Sequence, residues 1–264
     1  MKKFWRILKK IMLITAVLSA TALFVVVLTA AVKKQEARTC KGIAVKVDQE
    51  TGIAFLSGKE IEAQINYLSG GTVVGKKLNR IDFKTLEAEV EKNPYVAHAE
   101  IFVDQAQQIT TTIEQKRPIL RVINKDGVSY YLDETNGRLP LCNNFTPHVM
   151  VAMGEVQTHQ SPVRDSLVQN DLFQLTEFIR KDTFLNALVD QIYVRANGEM
   201  DLYPVTGYHT ICFGKVDGEM QDKFDRLKIF YKEGLSKVGW DKYKAINLKF
   251  KGHVVCVKRD APAV

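Results

Sequence analysis

Gly70 to Lys76 carry the spacing Gly-x-x-x-x-Gly-Lys, the opening of a loop whose backbone amides wrap a nucleotide phosphate. That chemistry needs a Ser or Thr next, to hold magnesium, and a strand leading in. Lys77 takes the position and a helical pattern precedes it, so the stretch reads as a turn. His253 and Cys256, three apart, have metal-ligand spacing but no second pair to complete a site. The five histidines, His98, His148, His159, His209 and His253, never form the His-Glu-x-x-His pattern of a zinc hydrolase. No Gly-x-Ser-x-Gly elbow or Ser-x-x-Lys motif is present, which removes the usual serine acyl chemistry. Asp133-Glu134 falls between two strand patterns and suits a solvated turn better than a glycosidase pair. The expectation is a protein that is not an enzyme, with no catalytic residue, cofactor, metal or small-molecule substrate.

Four cysteines, Cys40, Cys142, Cys212 and Cys256, form an even but sparse set. Cys212 and Cys256 both lie in apolar, strand-like stretches. A buried free thiol is the commoner outcome there, and a disulfide between them the alternative.

The elements that would position these residues fall into two groups. Ile43, Val45 and Val47 alternate as a half-buried strand does. Ser57 and Glu60 form a capping box ahead of Ile61, Ile65 and Leu68, which predicts a helix from about Gly58 to Leu68, broken by Gly70-Gly71. Asp82 caps a second helix bearing Phe83, Leu86 and Val90, stopped by Asn93-Pro94. Val96 to Val103 and Ile109 to Glu114 read as strands joined by a turn at Asp104 to Gln108. The order is strand, helix, helix, strand, strand, a small module over residues 42–117.

Residues 118–264 alternate short strands with the turn dipeptides Asp126-Gly127, Asn136-Gly137 and Asn197-Gly198. The last predicts a type I′ hairpin with positive φ at both residues. Two helices interrupt them, one with Val168, Leu172, Leu175 and Ile179 on a stripe, one with Phe224, Leu227, Tyr231 and Leu235. A final strand runs from Lys244 to Arg259 and bends at Gly252. The fold class is α+β, ending in a mainly antiparallel β-domain with two helices.

Ile11 to Val32 hold no charge, enough for a helix to cross a hydrocarbon layer of ~30 Å. The Ala20-x-Ala22 pattern suits a cleavable signal, but the apolar run continues past it, favouring an uncleaved anchor. Lys2, Lys3, Arg6, Lys9 and Lys10 precede the run, so residues 1–10 form a cytoplasmic tail, residues 33–41 a stalk, and the bulk lies outside. Those five residues carry most of the net charge of +7. The near-neutral remainder lacks the basic stripe of a nucleic-acid binder.

A βααββ module directly outside one membrane helix looks like a POTRA domain. The stretches Ile81-Asp82 to Pro94-Tyr95-Val96, Ala99-Glu100-Ile101 and Ile113-Glu114-Gln115-Lys116-Arg117-Pro118 resemble the division protein family FtsQ, called DivIB in other bacteria. Tyr130-Tyr131-Leu132-Asp133 with Gly137, and Ile246-Asn247-Leu248, are similar to its β-domain. Asn247 stands where an acidic residue is common, and Gln115-Lys116 where basic residues often sit. The resemblance implies a non-catalytic divisome scaffold in the inner membrane at the septum. It implies partners of the FtsB (DivIC) and FtsL type, linked to the septal synthases FtsW and FtsI. A POTRA protein of secretion or envelope assembly, or a membrane-anchored wall enzyme, are the alternatives. The last strand of an open sheet offers unpaired donors and acceptors to a partner segment. Tyr243, Ile246, Leu248, Phe250, Val254 and Val255 are therefore the candidate binding residues, at or beside that edge.

Overall fold

Apolar residues at period two and at helical spacing separate the chain into two compact units in the computed structural model. It describes residues 12, 15, 17–30, 38–48, 52–156, 162–207 and 209–259. One unit contains Leu56–Gln115 with the residues up to Gly52; the other contains Lys116 onward with Ile53–Phe55. The expected tail, residues 1–10, lies outside the described residues, as do residues 33–37 of the stalk and parts of the 11–32 run. Residues 17–30 form a helix, α1. Among the described residues no helix is long and apolar enough to cross a membrane.

The first unit is built as its caps dictate. β1 (Gly42–Val47) is followed by α2 (Gly58–Leu68), a 3-10 turn (Leu78–Arg80), α3 (Phe83–Val90), β2 (Val96–Val103) and β3 (Gln108–Gln115). The Ser57 amide donates to Glu60 Oε2 at 2.8 Å and the Glu60 amide to Ser57 Oγ at 3.3 Å, so two orphan donors of α2 are satisfied reciprocally. Asp82 accepts from the Thr85 amide at 3.2 Å and begins α3. The sheet order is β1-β3-β2, with β1 parallel and β2 antiparallel to β3. Ile61 and Ile65 of α2, Leu86 and Val90 of α3, and Ile109 and Ile113 of β3 are buried.

The second unit holds one nine-stranded sheet in the order β12-β11-β10-β9-β8-β7-β4-β5-β6. Its strands are β4 (Pro118–Asn124), β5 (Ser129–Asp133), β6 (Arg138–Leu139), β7 (Met150–Gly154), β8 (Val189–Val194), β9 (Met200–Pro204), β10 (Thr210–Gly214), β11 (Tyr243–Asn247) and β12 (Val255–Lys258). α4 (Pro162–Arg180) and α5 (Thr183–Leu188) connect β7 to β8; α6 (Met220–Ile229), a π-helical segment (Phe230–Leu235) and α7 (Ser236–Val238) connect β10 to β11. Parallel neighbours need such crossovers. The sheet is accordingly mixed: β4–β7, β7–β8 and β10–β11 are parallel, and the other pairings are antiparallel.

Leu172 of α4, Leu185 of α5 and Phe224 of α6 join one core with Leu120, Val122, Ile192, Leu202, Ile211, Phe213 and Ile246 of the sheet. Strand alternation sends Arg121, Tyr193, Tyr203, Cys212 and Asn247 to the opposite face. α5 was hidden by its brevity. Its start is nevertheless written in Asp182, whose carboxylate accepts from the Phe184 and Leu185 amides at 3.0 Å each.

Four hairpin turns share one construction. The residue at the turn's start accepts from the amide three on, and its own amide donates to the carbonyl four on: Asp104 with Gln107 and Gln108, Asn124 with Gly127 and Val128, Asp133 with Asn136 and Gly137, Arg195 with Gly198 and Glu199. The fourth residue takes the left-handed conformation in each. The Asn197-Gly198 turn is thus corrected from type I′, since only Gly198 has positive φ (79°). The extra residue between strand ends favours a type I turn followed by a left-handed residue.

Candidate functional site

The single final strand expected from Lys244 to Arg259 is instead a hairpin, with β12 folded back antiparallel on β11 through a turn at Gly252 (φ 70°). β11 lies between β10 and β12, and β12 ends the sheet order. The free edge therefore belongs to β12, and the candidate residues divide accordingly. Ile246 and Leu248 are fully buried and belong to the core. Tyr243 is half-buried, its ring 5.9 Å from that of Phe230, and Val254 is half-buried against the same core. Phe250 (53% exposed) and Val255 (44%) are open to solvent, as is Val257 (45%), which the sequence reading left out of the site.

The backbone of β12 determines what the edge offers. The Arg259 amide donates inward to the Lys242 carbonyl at 2.9 Å. The pairing irregularity lies between Tyr243 and Ala245 of β11, so the period of two runs unbroken along β12. Val255 and Val257 thus turn their amides inward, and Cys256 and Lys258 turn theirs outward. The side chains of Val255 and Val257 stand on the face away from the helices, opposite Asn247 and Ala245.

Charged side chains hold the hairpin in place. Arg226 of α6 reaches three carbonyls of the turn: Phe250 at 3.0 Å, Leu248 at 3.2 Å, and His253. Its Nε donates to Asp222 at 2.9 Å. Lys249 binds Glu199 of the β8–β9 turn at 3.1 Å, which holds that carboxylate below its usual pKa. Gly214 makes room for this crossing, since a Cβ there would lie 2.8 Å from Lys249 Cγ. Lys251 pairs with Glu219 at 2.9 Å, and the pairing raises the lysine's pKa. Beside the turn, Ile229, Phe230, Gly234, Gly252 and Val254 line a groove of ≈ 340 Å³. Arg226 was invisible to sequence reasoning because its partners are main-chain oxygens more than twenty residues away.

The other chemical candidates resolve into structure. Cys212 pairs across the ladder with Asn247, and Cys256 with Ile246, so the two thiols stand on opposite faces of the sheet with β11 between them. All four cysteines are free, and burial pushes the Cys212 and Cys256 thiols up. Lys76 of the glycine loop turns onto the carbonyls of Ser69 and Gly71 (3.3 Å to the latter), so its ammonium is engaged within its own turn. Asp133 accepts from the Thr135 and Gly137 amides at 2.8 and 2.7 Å, a turn former, while Glu134 pairs with Arg180 at 3.0 Å. His253 Nδ1 meets the Lys251 carbonyl at 2.9 Å. His209 is buried against the Tyr231 hydroxyl, and burial keeps the imidazole pKa low and the phenol pKa high. Among the described residues no three His, Cys, Asp or Glu side chains gather as a metal ion requires.

A βααββ unit with sheet order β1-β3-β2, followed by a mixed sheet whose order ends at β12, defines a POTRA-type module joined to a β-domain. A family model described as FtsQ/DivIB, C-terminal related, matches residues 117–257, and a model of the POTRA-like domain matches residues 38–114. The chain belongs to the FtsQ/DivIB family and is a cell-division protein with a POTRA-like domain. A search of curated proteins found no match.

Proposed function

We propose that this protein is a membrane-anchored, non-catalytic scaffold of the division machinery, and that it receives an extended segment of a partner as a tenth strand on β12. The observation that carries this reading is the position of β12 at the end of the sheet order, with Cys256 and Lys258 turning backbone groups outward. Strand addition draws affinity from main-chain hydrogen bonds and specificity from alternate side chains. Val255 and Val257 supply an apolar strip on one face, and the groove beside Val254 lies next to the hairpin. Small coiled-coil division proteins of the FtsB (DivIC) and FtsL type are the partners that family membership suggests.

The anchor reading rests on α1. Leu23 (65% exposed), Phe24 (64%) and Val26 (62%) project from it uncovered, an apolar surface that lipid would satisfy. Residues 11–32 then hold the chain in the inner membrane, with the two folded units outside it at the septum.

A proline at Lys258 removes an outward amide while leaving the inner ladder to β11 intact. In the full chain, Lys258→Pro should weaken partner capture at least about tenfold, one lost hydrogen bond with its strand geometry, with the circular dichroism spectrum unchanged. Undiminished capture by a folded Lys258→Pro chain rejects strand addition at this edge.

A further inference from the structure

The end of the first unit where the chain enters gathers positive charge. Residues 38–41 run antiparallel to the loop after α2. Thr39 bridges Lys77, the Gly75 amide donates to the Cys40 carbonyl at 2.7 Å, and the Leu78 amide donates to the Arg38 carbonyl at 3.0 Å. This short ladder brings Arg38, Lys41, Lys76, Lys77 and Arg80 to one end of the unit. Not one acidic residue lies between Tyr67 and Ile81. Lys76 is turned inward, whereas Arg38, Lys41, Lys77 and Arg80 are exposed, and none of these four forms an ion pair among the described residues. The acids at this end, Asp82 and Asp104, are engaged with the amides of Thr85 and Gln108.

The same end exposes apolar side chains and is hollow. Tyr67 is 83% exposed and Val74 48%, and between α2 and α3 opens a cleft of ≈ 570 Å³ lined by Ser69, Lys76, Lys77, Arg80, Asp82 and Thr85. An exposed tyrosine and aliphatic side chain amid an excess of cations, five against the two carboxylates of Asp82 and Asp104, match the headgroup layer of a bilayer, where aromatic rings and basic side chains both settle. Chain length points the same way. Residue 30, in α1, precedes Arg38 by eight residues, a reach of at most ~28 Å even when fully extended.

We infer that this end of the POTRA-like unit docks on an anionic phospholipid surface, with Arg38, Lys41, Lys77 and Arg80 facing lipid phosphates and Tyr67 and Val74 entering the headgroup layer. The inference rests on the reading of residues 11–32 as a membrane anchor. Each cation near such a surface strengthens attachment about fivefold, an effect that salt screens.

The test uses the full chain reconstituted in lipid nanodiscs, either of phosphatidylcholine alone or of equal parts phosphatidylcholine and phosphatidylglycerol. Hydrogen exchange reads the amides of residues 69–80. Docking slows their exchange about tenfold or more in the anionic discs relative to the neutral ones, and high salt reverses it. Lys41→Glu/Lys77→Glu/Arg80→Glu abolishes the difference, while Lys41→Arg/Lys77→Arg keeps it, with β3 protected equally in both variants. Equal exchange in the two discs overturns lipid docking and leaves the anchor standing. The same protection produced by inorganic phosphate in neutral discs overturns it in favour of a free-anion site, and protection only after a division partner is added overturns it in favour of an acidic protein surface. Failure of the chain to incorporate into either disc defeats the anchor reading and the docking inference together.

Discussion

Arg226 shows how one side chain can set the geometry of a sheet edge it does not belong to. Its guanidinium is planar and holds several donors in a fixed fork, which suits the converging carbonyls of Leu248, Phe250 and His253. Its side chain is only 12% exposed and its bond to the Leu248 carbonyl is partly buried, so removing it strands that acceptor and leaves a gap beneath the turn. Arg226→Ala should cost about 2 kcal/mol in urea unfolding and speed amide exchange in Val255–Lys258. Arg226→Lys keeps the charge but loses the fork, and should fall between the two. At this scale the sequence revealed residues that satisfy near neighbours, such as Ser57 with Glu60 and Asp82 with Thr85, because their partners lie within one helical turn. It could not reveal Arg226, nor the opposed placement of Cys212 and Cys256, because both depend on which strands become neighbours.

Among the elements, the turns carry the clearest physical signature. The left-handed position is filled by glycine at Gly127 and Gly198, by Asn136 (φ 64°) in a third turn, and by Gln107 (φ 66°) in the fourth. A residue with a Cβ adopts this conformation at a cost of about 1–2 kcal/mol, and glycine without it, though glycine loses more freedom on folding. Gln107→Gly should therefore stabilise the first unit by about 0.5 kcal/mol, checked as a higher urea midpoint at unchanged slope. The Asp104 to Gln108 turn was legible from its polar residues between two strand patterns; its left-handed residue was not, since glutamine carries no such signal. The final hairpin was half legible. Gly252 marked a change of direction, but the alternation of Ile246, Leu248 and Phe250 carries no information on whether a chain bends or reverses. Strand direction was silent in the same way, and the helices between β7 and β8 and between β10 and β11 were the one sign of parallel pairing.

For the whole molecule, the place of β11 inside the sheet alters what a deletion does. Ending the chain after His253 removes β12 together with the half-buried Val254 and exposes β11 as a new edge. Ending it after Lys242 also removes Ile246 and Leu248, both fully buried, and large buried side chains cost about 2–5 kcal/mol each when lost. The shorter deletion should keep the cooperative thermal transition of the β-rich unit and lose partner capture; the longer one should lose the transition itself. Calorimetry of the two truncated chains checks both outcomes.

The far end of the sheet gives this arrangement a direction. β6 is two residues long, and Arg138 is held there by Gln169 at 2.7 Å and lies over the Tyr130 ring. So brief a strand is a poor template for a visitor. Under the strand-addition proposal, growth of the nine-stranded sheet is confined to one flank, and two proteins that both arrive there as strands must take turns, which makes the order of their arrival a property of this fold.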